Sequence, residues 1–433
     1  MPLQEPNIPE DALRKMTLRL ASAAVALTLA GAACGGDDDE TSSSATPTTA
    51  PAGAQPASSA TGAATLRAGL AGLLTEHVYL AALATGSALR GDNAGFEAYA
   101  SALNGPTNSN TSDLVAAITS VYGAEVGKAF DGLWRSNGHI PAFVAYTQGI
   151  AANDKAKADK AVADLLAYAK TFGTTMNSVN SNLPAAAVEE GVKMHITTLK
   201  TVVDAQKAGD QPKVYASLRE AYGHMGEFAG VLAGATAAKF PDKVSGQADS
   251  KAATLRAGMT SLLREHVFLA ASATGAALGG RTPQFEAAAT ALNGPTNSNT
   301  ADIVAAITSV YGADVGKAFD GLWRSNGHIP AVVAYTQALA ANDKAKADNA
   351  VADLLAYAKT FGTTLNSVNS NLPAAAVEEA IKMHATTLKA VIDAQKEGNA
   401  TKTATTLRAA VGHMSETAAV LSEATVQKFP EKF

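Results

Sequence analysis

Residues 64–84 read ATLRAGLAGLLTEHVYLAALA, and residues 253–273 read ATLRAGMTSLLREHVFLAASA. In the first stretch Leu66, Leu70, Leu73, His77, Leu80 and Ala84 step alternately by four and three. On an α-helix that spacing draws one apolar stripe. The second stretch repeats the stripe at an offset of 189, and the match extends far beyond it. Residues 64–243 align with 253–432 without a gap, with 135 identities in 180 positions. A period this long describes a duplicated domain, because solenoid repeats run to roughly 20–50 residues.

The same stepping recurs within each copy. Val188, Val192, His195, Leu199 and Val202 form a second seam, after Pro184 at a plausible first helical position. Residues 155–179 and 214–239 are further amphipathic stretches. Residues 124–152 make another, broken at Asn137-Gly138-His139-Ile140-Pro141, where a turn or sharp kink is expected. A shorter pair covers 94–122, broken at 104–111. No run alternates with period two. The expected fold is all-α, with two tandem antiparallel helical bundles of five to seven helices each. Abundant Ala and an aromatic content of 6% agree with helices.

The segment ahead of the first copy reads as an export signal. Arg14, Lys15 and Arg19 precede the uncharged stretch Leu20–Ala30, which is too short to span a bilayer comfortably. Small residues then lead into Cys34, the only cysteine of the 433 residues, followed by the acidic run 37–40. This resembles a bacterial lipoprotein signal, except that Gly31 stands where such boxes usually carry Leu. Residues 1–33 are therefore expected to be a signal peptide. Residues 34–62 are expected to hold the lipidated Cys34 and a disordered linker, rich in Ser, Thr, Ala, Pro and Gly from 41 onward. The copies follow at 63–243 and 252–433, joined by a polar linker at 244–251. That join fixes no contact between them. The expected location is the outer face of the cell membrane, with the lipid as the membrane partner. Net charge is −5, and a lone cysteine excludes intrachain disulfides and thiolate zinc clusters. No basic face is available for nucleic acid.

The chemical signal is histidine. All eight His fall in register, four per copy: His77, His139, His195 and His224, then His266, His328, His384 and His413. His77 and His195 take seam positions where Leu or Val would be expected. Several helices bringing imidazoles to one level is how bundles build metal sites. Glu76 beside His77 and Glu227 three residues after His224 are the carboxylates at hand, with Glu265 and Glu416 as counterparts. The expected site takes His77, His195 and His224, completed by Glu227, Glu76 or His139, and the equivalent set in the second copy. His139 is the odd member, since the Asn-Gly break could carry it to a surface turn. Imidazole with carboxylate suits copper, zinc or ferrous iron. Met194, Met225, Met383 and Met414 each adjoin a His and lean toward copper. A di-iron site would need a second paired motif and two more Glu. Haem between facing His is a lesser option. The competing reading makes each His a hydrogen-bonded core residue of a structural or interaction module. Nucleophile elbows, Walker loops and dinucleotide fingerprints do not occur, so no enzyme class is indicated.

Leu-Leu-Thr-Glu76-His77-Val-Tyr, Ile-Thr-Ser-Val-Tyr122-Gly, Leu-Trp134-Arg, Lys-Met-His195, Gly-His224-Met and Lys239-Phe-Pro together resemble a family of exported bacterial helical domains of unknown function. Some members sit beside domains labelled copper amine oxidase-like. The resemblance covers essentially all of each copy and implies a helical bundle, with no activity to transfer.

If Cys34 carries the anchor, Cys34→Ala should release the protein from membranes or block processing. Mass spectrometry of the mature N-terminus checks this: an unmodified Cys34, or cleavage elsewhere, contradicts it. Stable attachment needs two or more acyl chains, because one gives only marginal anchoring.

Overall fold

The structure is a computed structural model that describes residues 57–136, 138–325 and 327–433. The expected signal peptide, Cys34 and the linker through residue 56 lie outside the described residues. Those that are described form an all-α protein with eight α-helices in each copy. In the first copy these are α1 (Gly62–Leu89), α2 (Asn93–Asn104), α3 (Asn110–Tyr122), α4 (Ala124–Arg135), α5 (His139–Ala152), α6 (Lys155–Val179), α7 (Ala185–Ala208) and α8 (Gln211–Lys239). The second copy repeats them as α9 (Lys251–Leu278), α10 (Thr282–Asn293), α11 (Asn299–Tyr311), α12 (Ala313–Arg324), α13 (His328–Ala340), α14 (Lys344–Val368), α15 (Ala374–Lys396) and α16 (Ala400–Lys428).

The count exceeds five to seven because each break is a complete helix end. Ser109 accepts from the Ser112 amide while the Ser112 hydroxyl accepts from the Ser109 amide, which starts α3 with a capping box. Gly123, at φ +94°, ends α3 and starts α4, a backbone that favours glycine. The matching Asn-rich segments serve the backbone. Asn110 donates to the Leu73 carbonyl, Asn177 to that of Leu183, and Asn180 to that of Ala235. Asn110 and Asn180 thereby tie their segments to the backbones of α1 and α8, and Asn177 ties the end of α6 to the chain entering α7.

α1 is the axle of its bundle. It packs against α2, α3, α7 and α8 on one side and against α9 of the other copy on the opposite side. It is long and apolar enough to cross a bilayer, yet 83% of its most apolar window is buried within the protein. A helix apolar all round belongs inside a core.

The two copies share one continuous apolar core. At its centre Tyr79 stacks on its own counterpart, Phe268, with ring centroids 4.6 Å apart and planes 1° from parallel. α2 packs on α16 and α10 on α8 across the same joint. Buried ion pairs flank the stack. Glu76 accepts from Arg264 at 2.6 Å and from Arg408 at 2.6 Å, and Arg408 also reaches Asp113. On the other side Glu265 meets Arg219 at 3.2 Å, and Arg219 reaches Asp302. Asn299 donates to Glu265 at 2.9 Å where Glu76 has its second arginine. The stretch read as a linker is also engaged at its end: Ser59 is buried, and its amide donates to Glu423 at 2.8 Å.

Divergence between the copies concentrates at this joint. Residues 101–190 keep 81 of 90 identities, whereas 91–100 keep five of ten and 211–220 only three of ten. The two variable segments lie in α2 and α8, the helices that cross to the other copy.

Half-chains 57–246 and 247–433, expressed separately, would expose Tyr79 or Phe268 and leave Glu76 or Arg264 unpaired. Breaking a buried ion pair typically costs about 3–5 kcal/mol. Each half alone should melt well below the whole chain or self-associate. Mixed, the halves should form a one-to-one complex by size-exclusion chromatography. Two monomeric halves that melt as high as the whole would contradict a shared core.

Candidate metal centre

In each copy three histidines from three helices meet. His77 comes from the middle of α1, His139 is the first residue of α5, and His195 lies in α7. One nitrogen of each lies within 4.8 Å of the others, and all three side chains are buried. The second copy does the same with His266, His328 and His384. The Nε2 atoms of His77 and His139 are 3.4 Å apart, and those of His266 and His328 are 3.3 Å apart. Metal–imidazole bonds of about 2.0–2.1 Å in a tetrahedron place two nitrogens roughly 3.3 Å apart. Two of the three ligands are therefore already at a coordinating separation.

The break in the sequence is what delivers His139. Gly138 sits at φ +135°, and a Cβ there would lie 3.4 Å from the Tyr168 ring. A residue with a side chain would strain this turn. Pro141 falls in the first turn of α5, where a missing N–H costs nothing. The chain thus turns inward, and His139 faces the core instead of a surface turn. Trp134 ends α4 just before the break. Its ring lies 4.7 Å from His139 and 5.1 Å, edge-on, from His77. Tyr168 stacks on the other face of His139 at 5.1 Å. Arg135 pairs with Asp131 at 2.6 Å, the expected i, i+4 partner, and ties α4 to the Asn104 carbonyl.

Burial sets the electrostatics. Desolvation holds His139 down to about 4 and His195 down to about 3, with neighbouring imidazoles adding to the effect at His195. It holds His266 to about 4 and His328 to about 3, and depresses His77 and His384 well below the usual range. At neutral pH all six rings are uncharged, which is the form that coordinates metal.

The structure regroups the expected ligands. His139 and His328 join the site. His224 and His413 leave it, since their Nε2 atoms donate to the Gly191 carbonyl at 2.9 Å and the Ala380 carbonyl at 3.1 Å. Those bonds satisfy them as structural residues of α8 and α16. Glu76 and Glu265 point into the joint. Successive helical residues diverge by about 100°, so when His77 faces its own bundle Glu76 faces the other copy. Glu227 and Glu416 are exposed. Met194 is exposed as well, whereas Met225 is buried and lines a cavity of about 50 Å³ together with His139 and His195.

Among the described residues, the Nδ1 atoms of all six site histidines are buried without a hydrogen-bond partner. Metal-bound His usually donates that N–H to an acceptor. The site therefore holds its rings by aromatic packing where others use a second shell of acceptors.

No family model, no curated protein and no solved structure matches the chain.

The depressed histidines fix an acid dependence. The unfolded chain takes up protons near pH 6.5 and the folded one only well below that, so the stability these rings give is full above pH 6.5 and falls below it. The metal-free protein should lose melting temperature steadily from about pH 6.5 toward pH 4. Buried Glu76, held low because Arg408 and Arg264 outweigh its desolvation, acts in the same direction at lower pH. His139→Leu/His328→Leu should flatten the upper part of that slope. An equal slope in parent and variant would contradict the assignment.

Proposed function

We propose that each copy binds one transition-metal ion through its buried triad, copper first and zinc second. We further propose that the protein holds these ions at the outer face of the cell membrane, for sequestration, delivery or sensing, tethered through Cys34. The observation that carries the reading is the convergence of three neutral, buried imidazoles, repeated in both copies, with two nitrogens 3.3–3.4 Å apart.

Copper is favoured on charge. The triad offers no carboxylate, so a bound ion keeps its full charge among Trp134, Tyr168 and Phe172. The cost of burying an ion rises with the square of its charge, so a monovalent ion is far cheaper to enclose than a divalent one. Copper has a monovalent state and zinc does not. The buried thioether of Met225 beside His139 and His195 is a soft group in keeping with that state.

The rival reading is a structural module in which His77 and His139 share one hydrogen bond. That bond would satisfy two ring nitrogens and leave His195, which makes no ring hydrogen bond among the described residues, without a partner. A metal ion would engage all three rings, and this difference favours the metal.

Titration of metal-stripped protein with copper(I), copper(II) and zinc should show two equivalents bound and a higher melting temperature, because only the folded chain has the converged site. His77→Leu/His266→Leu should lose both effects, whereas His224→Ala/His413→Ala should keep the stoichiometry. If the parent binds nothing above buffer controls and the Leu variant melts higher, the rings are core residues and the structural module replaces the metal reading.

A further inference from the structure

The two centres differ in what lies beside them. Next to His266 and His328 is a cavity of about 430 Å³, walled largely by apolar groups that include Ala270, Ala273, Phe285 and Val332. Val333, which also lines it, is 37% exposed, so the cavity communicates with solvent. Its volume falls in the range of sites that enclose a small organic molecule, roughly 300–1,000 Å³.

Val332 is the informative residue. Its counterpart in the first copy is Phe143. Phe143 packs against all three apolar clusters of the protein, touching the central core, the α1–α2 cluster around Leu80 and the cluster around Tyr146. In the second copy the counterparts of those clusters, among them Leu292, Leu388 and Tyr335, belong to the central core. Leu292 and Leu388, which match the Leu103 and Leu199 packed against Phe143, wall the cavity beside Val332. The larger ring thus plugs the first copy at the place where the second copy is open. A second trimming, Ile196 of α7 replaced by Ala385 in α15, opens onto a separate cavity of about 40 Å³ that also reaches His328 and Val332. Three protein ligands leave a fourth tetrahedral position free, which is the mark of a site that takes an outside ligand.

We infer that the histidine centre of the second copy, and not that of the first, accepts a small heteroaromatic ligand with one nitrogen donor, of the imidazole or pyridine kind, through this cavity. The inference rests on the metal reading above. The donor nitrogen would take the free position while the ring occupies the apolar space beside Val332 and Phe285. The copies then have unequal roles: the first is a closed holding site and the second an addressable one. The three histidines and the packing residues Trp134 and Tyr168 have identical counterparts, His266, His328, His384, Trp323 and Tyr357, so the centre itself is alike in both.

The test uses the full chain loaded with two equivalents of cobalt(II), whose visible spectrum reports its ligands, titrated with 4-phenylimidazole. The parent should bind one equivalent, shifting the spectrum of half of the cobalt. Val332→Phe should abolish that shift with cobalt still bound. Phe143→Val should raise the stoichiometry to two, and this reverse change carries the test if Val332→Phe does not fold. With two cobalt ions bound, a parent that takes none or two of the ligand overturns the inference and leaves the metal reading standing. If only copper(I) is retained, the same ligand titration is run calorimetrically on the copper(I) form with the same expected stoichiometries, and a chain that binds neither ion overturns both readings.

Discussion

α1 and α9 each have to satisfy two sets of neighbours at once. α1 packs on its own bundle and on α9, and most of its residues are buried. Burying both sides demands an apolar helix with almost no solvent-facing stripe. The few polar residues it carries must then find partners in one direction or the other. His77 turns to its own bundle, Glu76 turns to the other copy, and Tyr79 stacks on its counterpart Phe268. One short segment thereby places a member of the histidine triad, the buried carboxylate and the central aromatic contact.

Electrostatics divides along the same line. The joint between copies is charged and internally balanced, with Arg264 and Arg408 outweighing the desolvation of Glu76. On the other flank burial outweighs Arg219 and the Asn299 hydrogen bond, and Glu265 stays above the usual carboxylate range. Among the described residues, the bundle interiors carry no such pairs. There burial acts on the imidazoles without a carboxylate to oppose it, and the rings stay neutral. Neutral rings in an apolar shell form a poor site for a bare divalent ion and a better one for a monovalent soft ion. The same shell, trimmed at Val332, becomes the wall of a cavity of about 430 Å³.

Much of this was legible in the residues. The duplication, the helical seams at Leu66–Ala84 and Val188–Val202 and the breaks at 104–111 and 137–141 all follow from spacing and turn chemistry. The registered histidines pointed to the site as well. Sequence alone misassigned the grouping. His139 looked peripheral because Asn-Gly-His-Ile-Pro signals a turn, and periodicity does not report which way a turn faces. His224 looked central because it sits mid-helix, yet a backbone carbonyl one helix away satisfies it. Glu76 looked like a ligand because its true partners, Arg264 and Arg408, lie 188 and 332 residues away in the other copy. A signal for the joint was present in the low identity of 91–100 and 211–220, where contact with an unlike partner freed the copies to diverge.

The central claim is that three imidazoles from α1, α5 and α7 close on one ion, and likewise in the second copy. Anomalous scattering at the copper edge, from crystals grown with copper(I) under reducing conditions, tests it most directly. The account predicts two peaks per chain, each about 2.0–2.1 Å from nitrogens of His77, His139 and His195 or of their counterparts. Peaks at His224, at Glu227 or only on the surface would contradict it, and so would empty triads in copper-saturated crystals.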